Sequence, residues 1–129
     1  MDDREFIERF ESCTLPAADF PHRAHVRLAW LYLQEAPPLE ALARFCTSLQ
    51  RFATSLGKTT LYHETITWAY LLLIHERMAR NPVSDFSTFA AANPDLLTWN
   101  PSVLDRYYRP ETLQSDLAKR VFVMPDRMD

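Results

Sequence analysis

Residues 61–80, with the sequence LYHETITWAYLLLIHERMAR, decide the fold of this chain. Within them, residues 65–74 form an uncharged run that suits a buried helix but is shorter than the roughly 20 residues that a membrane span needs. Asn81-Pro82 follows, and proline prevents a helix from continuing. The stretch therefore predicts a central helix over about residues 60–80, whose first turns carry Tyr62, His63, Glu64 and Thr67.

The composition predicts helices elsewhere as well. The chain has 129 residues, of which 47% are hydrophobic, and this is enough for the core of one ordinary domain. A single glycine argues against a sheet protein with many tight turns, and nine prolines separate the apolar runs. We therefore expect one all-α domain over residues 1–129, a compact bundle with two central helices and short C-terminal helices. The predicted helices cover about residues 3–12, 21–36, 39–56, 60–80, 84–92, 94–99, 101–108 and 110–120, with residues 121–129 extended.

The charge balance limits the partners that the sequence predicts, and the two cysteines indicate the compartment. A formal net charge of −3 gives no electrostatic footprint for nucleic acid, and no apolar run predicts a membrane helix. Cys13 and Cys46 have no metal-binding or redox spacing, which suits a reducing cytoplasm. The many Leu, Trp and Phe residues are compatible with a homodimer that buries one helical face. The chain also lacks the motifs of nucleophilic hydrolases, phosphate loops and dinucleotide folds.

Two pairs of polar residues are expected to meet at one end of the bundle. His22 and His25 lie in the first turns of the second predicted helix, and His63 and Glu64 lie in the first turns of the fourth. Short connections make consecutive helices antiparallel neighbours, so the second and fourth helices are expected to be parallel, with adjacent N-terminal ends. The topology alone therefore predicts that these four side chains lie close together.

Two kinds of chemistry suit this group. Neutral imidazoles and a carboxylate bind divalent transition metals, so His22, His25, His63 and Glu64 form a candidate metal site, and a divalent transition metal is the candidate cofactor. A His-Glu pair at the edge of an apolar core also favours acid–base chemistry, which makes His63 and Glu64 candidate catalytic residues. Each pattern has a structural explanation too, because histidines bind backbone at helix entrances and a glutamate in a first turn complements the helix dipole.

A third interpretation uses the helix ends themselves. Unpaired N–H groups and positive dipole ends at two neighbouring N-termini, with Arg23 and Lys58 close in sequence, predict an anionic ligand such as a carboxylate or phosphate. Tyr62 and Thr67 are expected to contact the substrate or ligand there. His75 lies about 17 Å further along its helix at 1.5 Å per residue, so it is excluded from this site, and its role stays open.

Two motifs resemble a family of small bacterial proteins that has no established activity. The first, PHRAHVRLAWLYL at residues 21–33, has H-x-x-H before an apolar L-A-W helix. The second, YHETITWAYLLLIHERM at residues 62–78, has Y-H-x-T-I-T at the start of a helix. The resemblance implies no function, and it covers about a quarter of the chain. It places His22, His25, His63 and Thr67 at motif positions.

The sequence supports two functions of different classes. The first is a small-molecule or metal-binding helical domain, with or without enzymatic activity, whose His/Glu site lies at the shared N-terminal end of the central helices. The alternative is a helical interaction or scaffold module whose histidines satisfy only local hydrogen bonds. A pocket lined by the predicted residues favours the first function, whereas a filled core with a large exposed apolar patch favours the second.

Overall fold

The computed structural model describes residues 1–127, and every regular element in them is helical, which confirms the predicted all-α class. Long-range contacts join the helices into one bundle. In this part of the chain no helix has both the length and the apolar character needed to cross a membrane. The α-helices are α1 Asp3–Glu11, α2 His22–Glu35, α3 Pro38–Ser55, α4 Glu64–Arg80, α5 Phe86–Ala92, α6 Pro94–Leu97, α7 Pro110–Leu113 and α8 Asp116–Arg120; the 3₁₀ turns are Ala17–Asp19, Thr59–Leu61 and Val103–Arg106.

The C-terminal helices are shorter than the sequence predicts. The helix expected over residues 101–108 is only the 3₁₀ turn Val103–Arg106, and the one expected over residues 110–120 is divided into α7 and α8. The division occurs because Ser115 begins a new helix by accepting a hydrogen bond from the Ala118 amide. Residues 121–127 follow without helix, and residues 128–129 lie outside the part of the chain that the structure describes.

Helices α2, α3 and α4 pack against one another at the centre of the bundle. α2 is apolar nearly all round, and its residues Leu28, Ala29 and Tyr32 are completely buried. On α4, Leu71 and Ile74 are buried to the same degree. Burial of a leucine or isoleucine side chain stabilises a fold by about 1.5–3 kcal/mol, so the contact between these helices is a main source of stability.

The first helix is joined to this centre by an aromatic pair and a charged group. The Phe10 and Phe20 rings stack with centroids 4.5 Å apart. Next to them, Glu11 accepts hydrogen bonds from the Tyr32 hydroxyl at 2.6 Å and from Arg44 Nε at 2.8 Å. Because Tyr32 lies on α2 and Arg44 on α3, this one carboxylate connects three helices.

The connection from α3 to α4 determines where α4 begins. Gly57 follows α3 in the left-handed conformation, with φ 71°, which glycine adopts without steric strain. The turn Thr59–Leu61 then packs back along α3. As a result Tyr62 lies close to Cys46, in the middle of α3. α4 therefore starts beside the middle of α3 rather than at its end.

Residues 121–127, which we call the C-terminal strap, pass across the start of α4. Thr65 is completely buried there. Its hydroxyl donates to the Val121 carbonyl at 2.8 Å and accepts from the Val123 amide at 3.0 Å. One threonine side chain thus binds the strap backbone in two places.

Further contacts hold the strap along its length. The Phe122 ring stacks on the Trp68 ring of α4, with centroids 5.0 Å apart and planes inclined by 15°. Asp126 accepts hydrogen bonds from the Arg109 amide at 3.0 Å and from the Thr112 hydroxyl. The strap therefore links α4 to α7 and to the segment before α7.

Candidate functional site

His22 and His25 lie on the first turn of α2, and each binds a different backbone carbonyl. His22 donates from Nε2 to the Leu96 carbonyl of α6 at 2.9 Å, and His25 donates from Nδ1 to the Pro21 carbonyl at 3.1 Å. Burial lowers the pKa of His22, and it lowers the pKa of His25 to about 4. Both imidazoles are therefore neutral at pH 7. His25 supports the backbone at the entrance of α2, whereas His22 holds α6 against α2.

His63 is the N-cap of α4, and both of its ring nitrogens are engaged. Nδ1 accepts a hydrogen bond from the Ile66 amide at 3.1 Å, and Nε2 donates to the Leu113 carbonyl of α7 at 2.7 Å. This pair of bonds requires the neutral tautomer with its proton on Nε2. Thr67 donates its hydroxyl to the His63 carbonyl at 2.7 Å. His63 and Thr67 thus start α4 and hold α7 against it.

Glu64 accepts two hydrogen bonds at one carboxylate oxygen. The donors are the Tyr62 hydroxyl at 2.5 Å and the Trp68 indole at 3.1 Å. Cys46 lies in the same group, where burial raises the pKa of its thiol and also the pKa of the Tyr62 phenol. A thiol that keeps its proton is a poor nucleophile, so the arrangement does not activate Cys46. Acid–base roles for His63 and Glu64 stay predictions.

The other predicted residues have local surroundings of their own. The Arg23 guanidinium lies over the Phe86 ring, 5.2 Å from its centroid, in a cation–π contact. Lys58 is exposed in the connection between α3 and α4. His75 is half-buried near the end of α4. None of the three lines either of the two cavities described below.

The four predicted metal ligands do not form one group in the described residues. Within residues 1–127, no three His, Cys, Asp or Glu side chains are arranged so that they could hold a metal ion. The His22 ring lies against Tyr70, well inside α4, with centroids 5.1 Å apart. His63, at the start of α4, would have to give up a hydrogen bond to offer a lone pair to a metal. The expected convergence is therefore not seen in this part of the chain, and a divalent transition metal as cofactor stays a prediction.

The physical reason is the path of the chain between α3 and α4. The convergence assumed a tight turn, which would bring the α4 N-terminus level with that of α2. Instead the turn Thr59–Leu61 packs back along α3, so His63 and Glu64 start α4 beside Cys46. His22 is left facing the middle of α4 and the α6 segment.

A cavity of about 540 Å³ lies next to α6 and the turn Val103–Arg106. This volume falls in the range of about 300–1,000 Å³ that is typical of small-molecule pockets. Pro101 and Val103 contribute apolar surface. The polar lining consists of Asp95, Thr98, Ser102, Asp105, Arg106 and Arg127.

The cavity is connected to His22 through neighbouring side chains. Ser102, in the cavity wall, forms a hydrogen bond of 2.9 Å with the Tyr70 hydroxyl. The His22 ring centroid lies 5.1 Å from that of Tyr70 and 5.1 Å from that of Trp99, whose side chain is exposed. His22 is therefore the predicted site residue whose ring adjoins the cavity wall, although it does not line the cavity itself.

Asp95 forms several ion-pair contacts in the wall. Both of its carboxylate oxygens accept from Arg77 of α4, at 3.0 and 2.8 Å, and one also accepts from Arg106 at 2.9 Å. Arg77, together with Arg106, holds the pKa of Asp95 well below its usual range. Asp95 is therefore ionised throughout the physiological pH range, and it fixes α6 to α4.

Sequence reasoning missed the cavity residues because they lie in a segment that looks like a series of linkers. Residues 93–109 contain two Asn-Pro pairs, and their charged residues show no spacing that indicates a site. The available signal was that Asp95, Asp105 and Arg106 lie close together in a segment bounded by prolines. That pattern alone does not separate a cavity wall from an ordinary solvated loop.

Comparison of the chain with protein-family models, with curated proteins and with solved structures found no match. The likeness of its two histidine motifs to a bacterial family therefore stays a resemblance. Any functional conclusion has to come from the chemistry of the chain itself.

Proposed function

We propose that this protein binds a small polar molecule in the cavity beside the turn Val103–Arg106. The observation that carries the proposal is a cavity of about 540 Å³ whose wall has six polar side chains. Guanidinium, carboxylate and hydroxyl groups are all present, so the wall offers both donors and acceptors that can orient a ligand. The proposed function is the small-molecule binding that the sequence suggests, but its site is this cavity and not the N-terminal end of the central helices.

His22 supports this proposal as a positioning residue. Its Nε2 holds the Leu96 carbonyl, and Leu96 follows Asp95 in α6. Its ring also packs against Trp99, which precedes the cis peptide bond Asn100-Pro101. We therefore expect that His22→Ala leaves the cavity residues in place but loosens α6, so that ligand affinity falls by a few-fold rather than being lost.

The proposal is tested by mapping where small polar molecules bind. Mixtures of polar fragments, each carrying a carboxylate, amine, amide or hydroxyl, are titrated into ¹⁵N-labelled protein. Shift changes are expected to cluster on residues 95–106 and at Arg127. They should disappear in Thr98→Trp, because Thr98 is exposed at the cavity wall and an indole there fills the space. Thr47→Trp, at an exposed position of α3, is the matched control and should bind normally. Shifts that avoid this region, or that persist in Thr98→Trp, would contradict the proposal.

A different surface favours the alternative, an interaction module. An apolar cavity of about 180 Å³ lies between α4 and the strap. Leu72 in its lining is 40% exposed, and Met124, which precedes the lining residue Pro125 in the strap, is 71% exposed. Under this alternative a homodimer is expected to form through this surface. Leu72→Glu should then dissociate the dimer in sedimentation equilibrium, whereas Leu39→Glu, at an exposed position of α3, should not. A monomer at all concentrations would exclude the homodimer.

A further inference from the structure

The apolar cavity between α4 and the strap has the size of a small ring compound. Its volume is about 180 Å³. Pockets for drug-sized ligands are larger, at about 300–1,000 Å³, but an apolar protein cavity of about 150 Å³ takes up benzene. A helix of a partner protein, about 10–12 Å across with its side chains, is too wide for this space. The volume therefore suits a molecule of one ring or of two fused rings.

The floor of the apolar cavity consists of buried side chains. Leu104 and Tyr108 are each only 1% exposed, and Leu73 and Ala69 on α4 are 8% and 9% exposed. These side chains contribute to the lining although very little of their surface reaches solvent. The cavity is therefore recessed below the protein surface, and a ligand in it would lose most of its own contact with water.

Contacts outside the cavity hold its aromatic walls in place. Phe122 lines the cavity from the strap, and its ring stacks on the Trp68 ring with centroids 5.0 Å apart. The Tyr108 ring lines the other side, and its hydroxyl donates to the Val123 carbonyl at 2.7 Å. Because these walls are already fixed, a ligand would bind without paying to order them.

The lining offers little to a charged ligand. Within residues 1–127 its one charged residue is Glu76, whose Oε2 accepts a hydrogen bond from Arg80 at 2.9 Å. Both side chains of this pair are more than half exposed, so the carboxylate lies at the mouth of the cavity and is paired there. A charged substituent placed on the floor would lose its water without gaining a partner.

We propose that the apolar cavity binds a small uncharged aromatic molecule of one or two rings. Three aromatic side chains, Tyr107, Tyr108 and Phe122, contribute to the lining. Aromatic rings attract one another in offset and edge-to-face arrangements, so this lining favours an aromatic ring over a saturated one. The site is separate from the polar cavity, and it does not depend on the function proposed for that cavity.

Four soluble probes with one six-membered ring test the choice of ligand at pH 7: phenol, cyclohexanol, benzoate and benzylamine. They are titrated into protein with ¹³C-labelled alanine and leucine methyl groups. Phenol should shift the methyl signals of Ala69, Leu73 and Leu104, and leave those of Leu28 and Ala41, buried in α2 and α3, unchanged. We expect phenol to bind at least about threefold more tightly than cyclohexanol and at least about fivefold more tightly than the two charged rings. Equal affinity for any of the other three probes would overturn the proposal.

Two variants at the mouth and at the floor locate the binding. Leu72→Trp should weaken phenol binding at least about fivefold, because Leu72 is 40% exposed in the lining and an indole there covers the mouth. Leu39→Trp, at a 79% exposed position of α3, is the matched control and should bind as the wild type does. Ala69→Leu fills the floor and should abolish binding. Circular dichroism verifies folding, and Leu72→Trp decides the test if Ala69→Leu does not fold. Unchanged phenol affinity in Leu72→Trp would overturn the proposal.

A second copy of the chain is the competing occupant of this surface. Phenol titrations at low and high protein concentration, with sedimentation equilibrium under the same conditions, separate the two. A monomer that binds phenol equally at both concentrations supports the proposal, whereas a dimer whose formation excludes phenol would overturn it. Thr98→Trp, in the wall of the polar cavity, should leave phenol affinity unchanged, so the two sites succeed or fail separately.

Discussion

Thr65→Val is the perturbation with the clearest expected effect on this fold. Valine has nearly the shape of threonine, so the completely buried position loses no volume and keeps its β-branch. What is lost is the hydroxyl that donates to the Val121 carbonyl at 2.8 Å and accepts from the Val123 amide at 3.0 Å. Each hydrogen bond contributes about 0.5–1.5 kcal/mol net. Val121 is exposed, so water partly replaces the first bond. We therefore expect a loss of about 1–2 kcal/mol in the free energy of unfolding.

The assay combines equilibrium urea unfolding with amide hydrogen exchange. For a domain of this size, roughly 4 °C of melting temperature corresponds to 1 kcal/mol, so the melting temperature should fall by about 4–8 °C. Exchange of the Val123 amide should accelerate more than that of Leu71 in the core of α4, because the strap opens before the bundle does. Thr47→Val, at an exposed position of α3, should change the free energy by less than about 0.5 kcal/mol.

The reasoning would be refuted by a particular pair of results. These are a free energy of unfolding within about 0.5 kcal/mol of wild type and unchanged protection of the Val123 amide. Together they would mean that Thr65 does not hold the strap in solution. Loss of stability without faster exchange at Val123 would also contradict it, because the destabilisation would then arise inside α4 rather than at the strap.

Three further predictions concern the predicted site residues and the cavity wall. His63→Ala should destabilise the protein by about 1–2 kcal/mol in urea unfolding, because it removes the N-cap of α4. His63→Asn should recover about half of this loss, because asparagine is a good N-cap residue but does not reach the Leu113 carbonyl of α7. The folded-state pKa of His25, about 4, lies below its unfolded value of about 6.5, so the unfolded state takes up the proton first and stability should fall as the pH falls from about 6.5 to 4. The slope in this window should be smaller in His25→Gln, and an identical pH profile would exclude this contribution. Arg77→Lys should lower the free energy of unfolding by about 1–2 kcal/mol, because lysine does not reproduce the paired bonds to Asp95. Arg80→Lys, at a side chain that is 72% exposed in an i,i+4 pair, should lower it by less than about 0.5 kcal/mol. Equal losses in the two variants would show that the contact with Asp95 contributes no more than a surface ion pair.

The helices that the sequence predicts best are those with a local cause. The apolar run at residues 65–74, the stop at Asn81-Pro82 and the glycine after α3 act over a few residues. The structure has α3 and the end of α4 where these signals place them, whereas α4 begins at Glu64 rather than near residue 60. The N-cap of α4 illustrates the limit of such signals. Thr59 and Thr60 precede the helix, and threonine is a good N-cap residue. His63 takes this position instead, because its second nitrogen also binds the Leu113 carbonyl, 50 residues away in sequence.

The same limit applies to the histidine motifs. Their spacing is a local property, but what each ring binds depends on distant backbone. His22 binds the Leu96 carbonyl and His63 the Leu113 carbonyl, both in short helices whose positions no periodicity predicts. Histidine is well suited to this use, because a neutral ring has one donor and one acceptor that can join two helices. A pair of H-x-x-H and Y-H-x-T motifs is therefore as consistent with helix-to-helix clamps as with metal ligation.

The cavity is hard to find from the sequence for a related reason. Its wall comes from α6, from the turn Val103–Arg106 and from Arg127 in the strap, so it forms only after the C-terminal third has folded onto α4. The strap contributes twice to this arrangement. It bonds to Thr65 at the start of α4, and Arg127 donates to the Asp105 carbonyl in the cavity wall at 2.9 Å. Thr65, next in sequence to the predicted catalytic residues His63 and Glu64, thus holds in place the strap whose Arg127 completes the cavity wall.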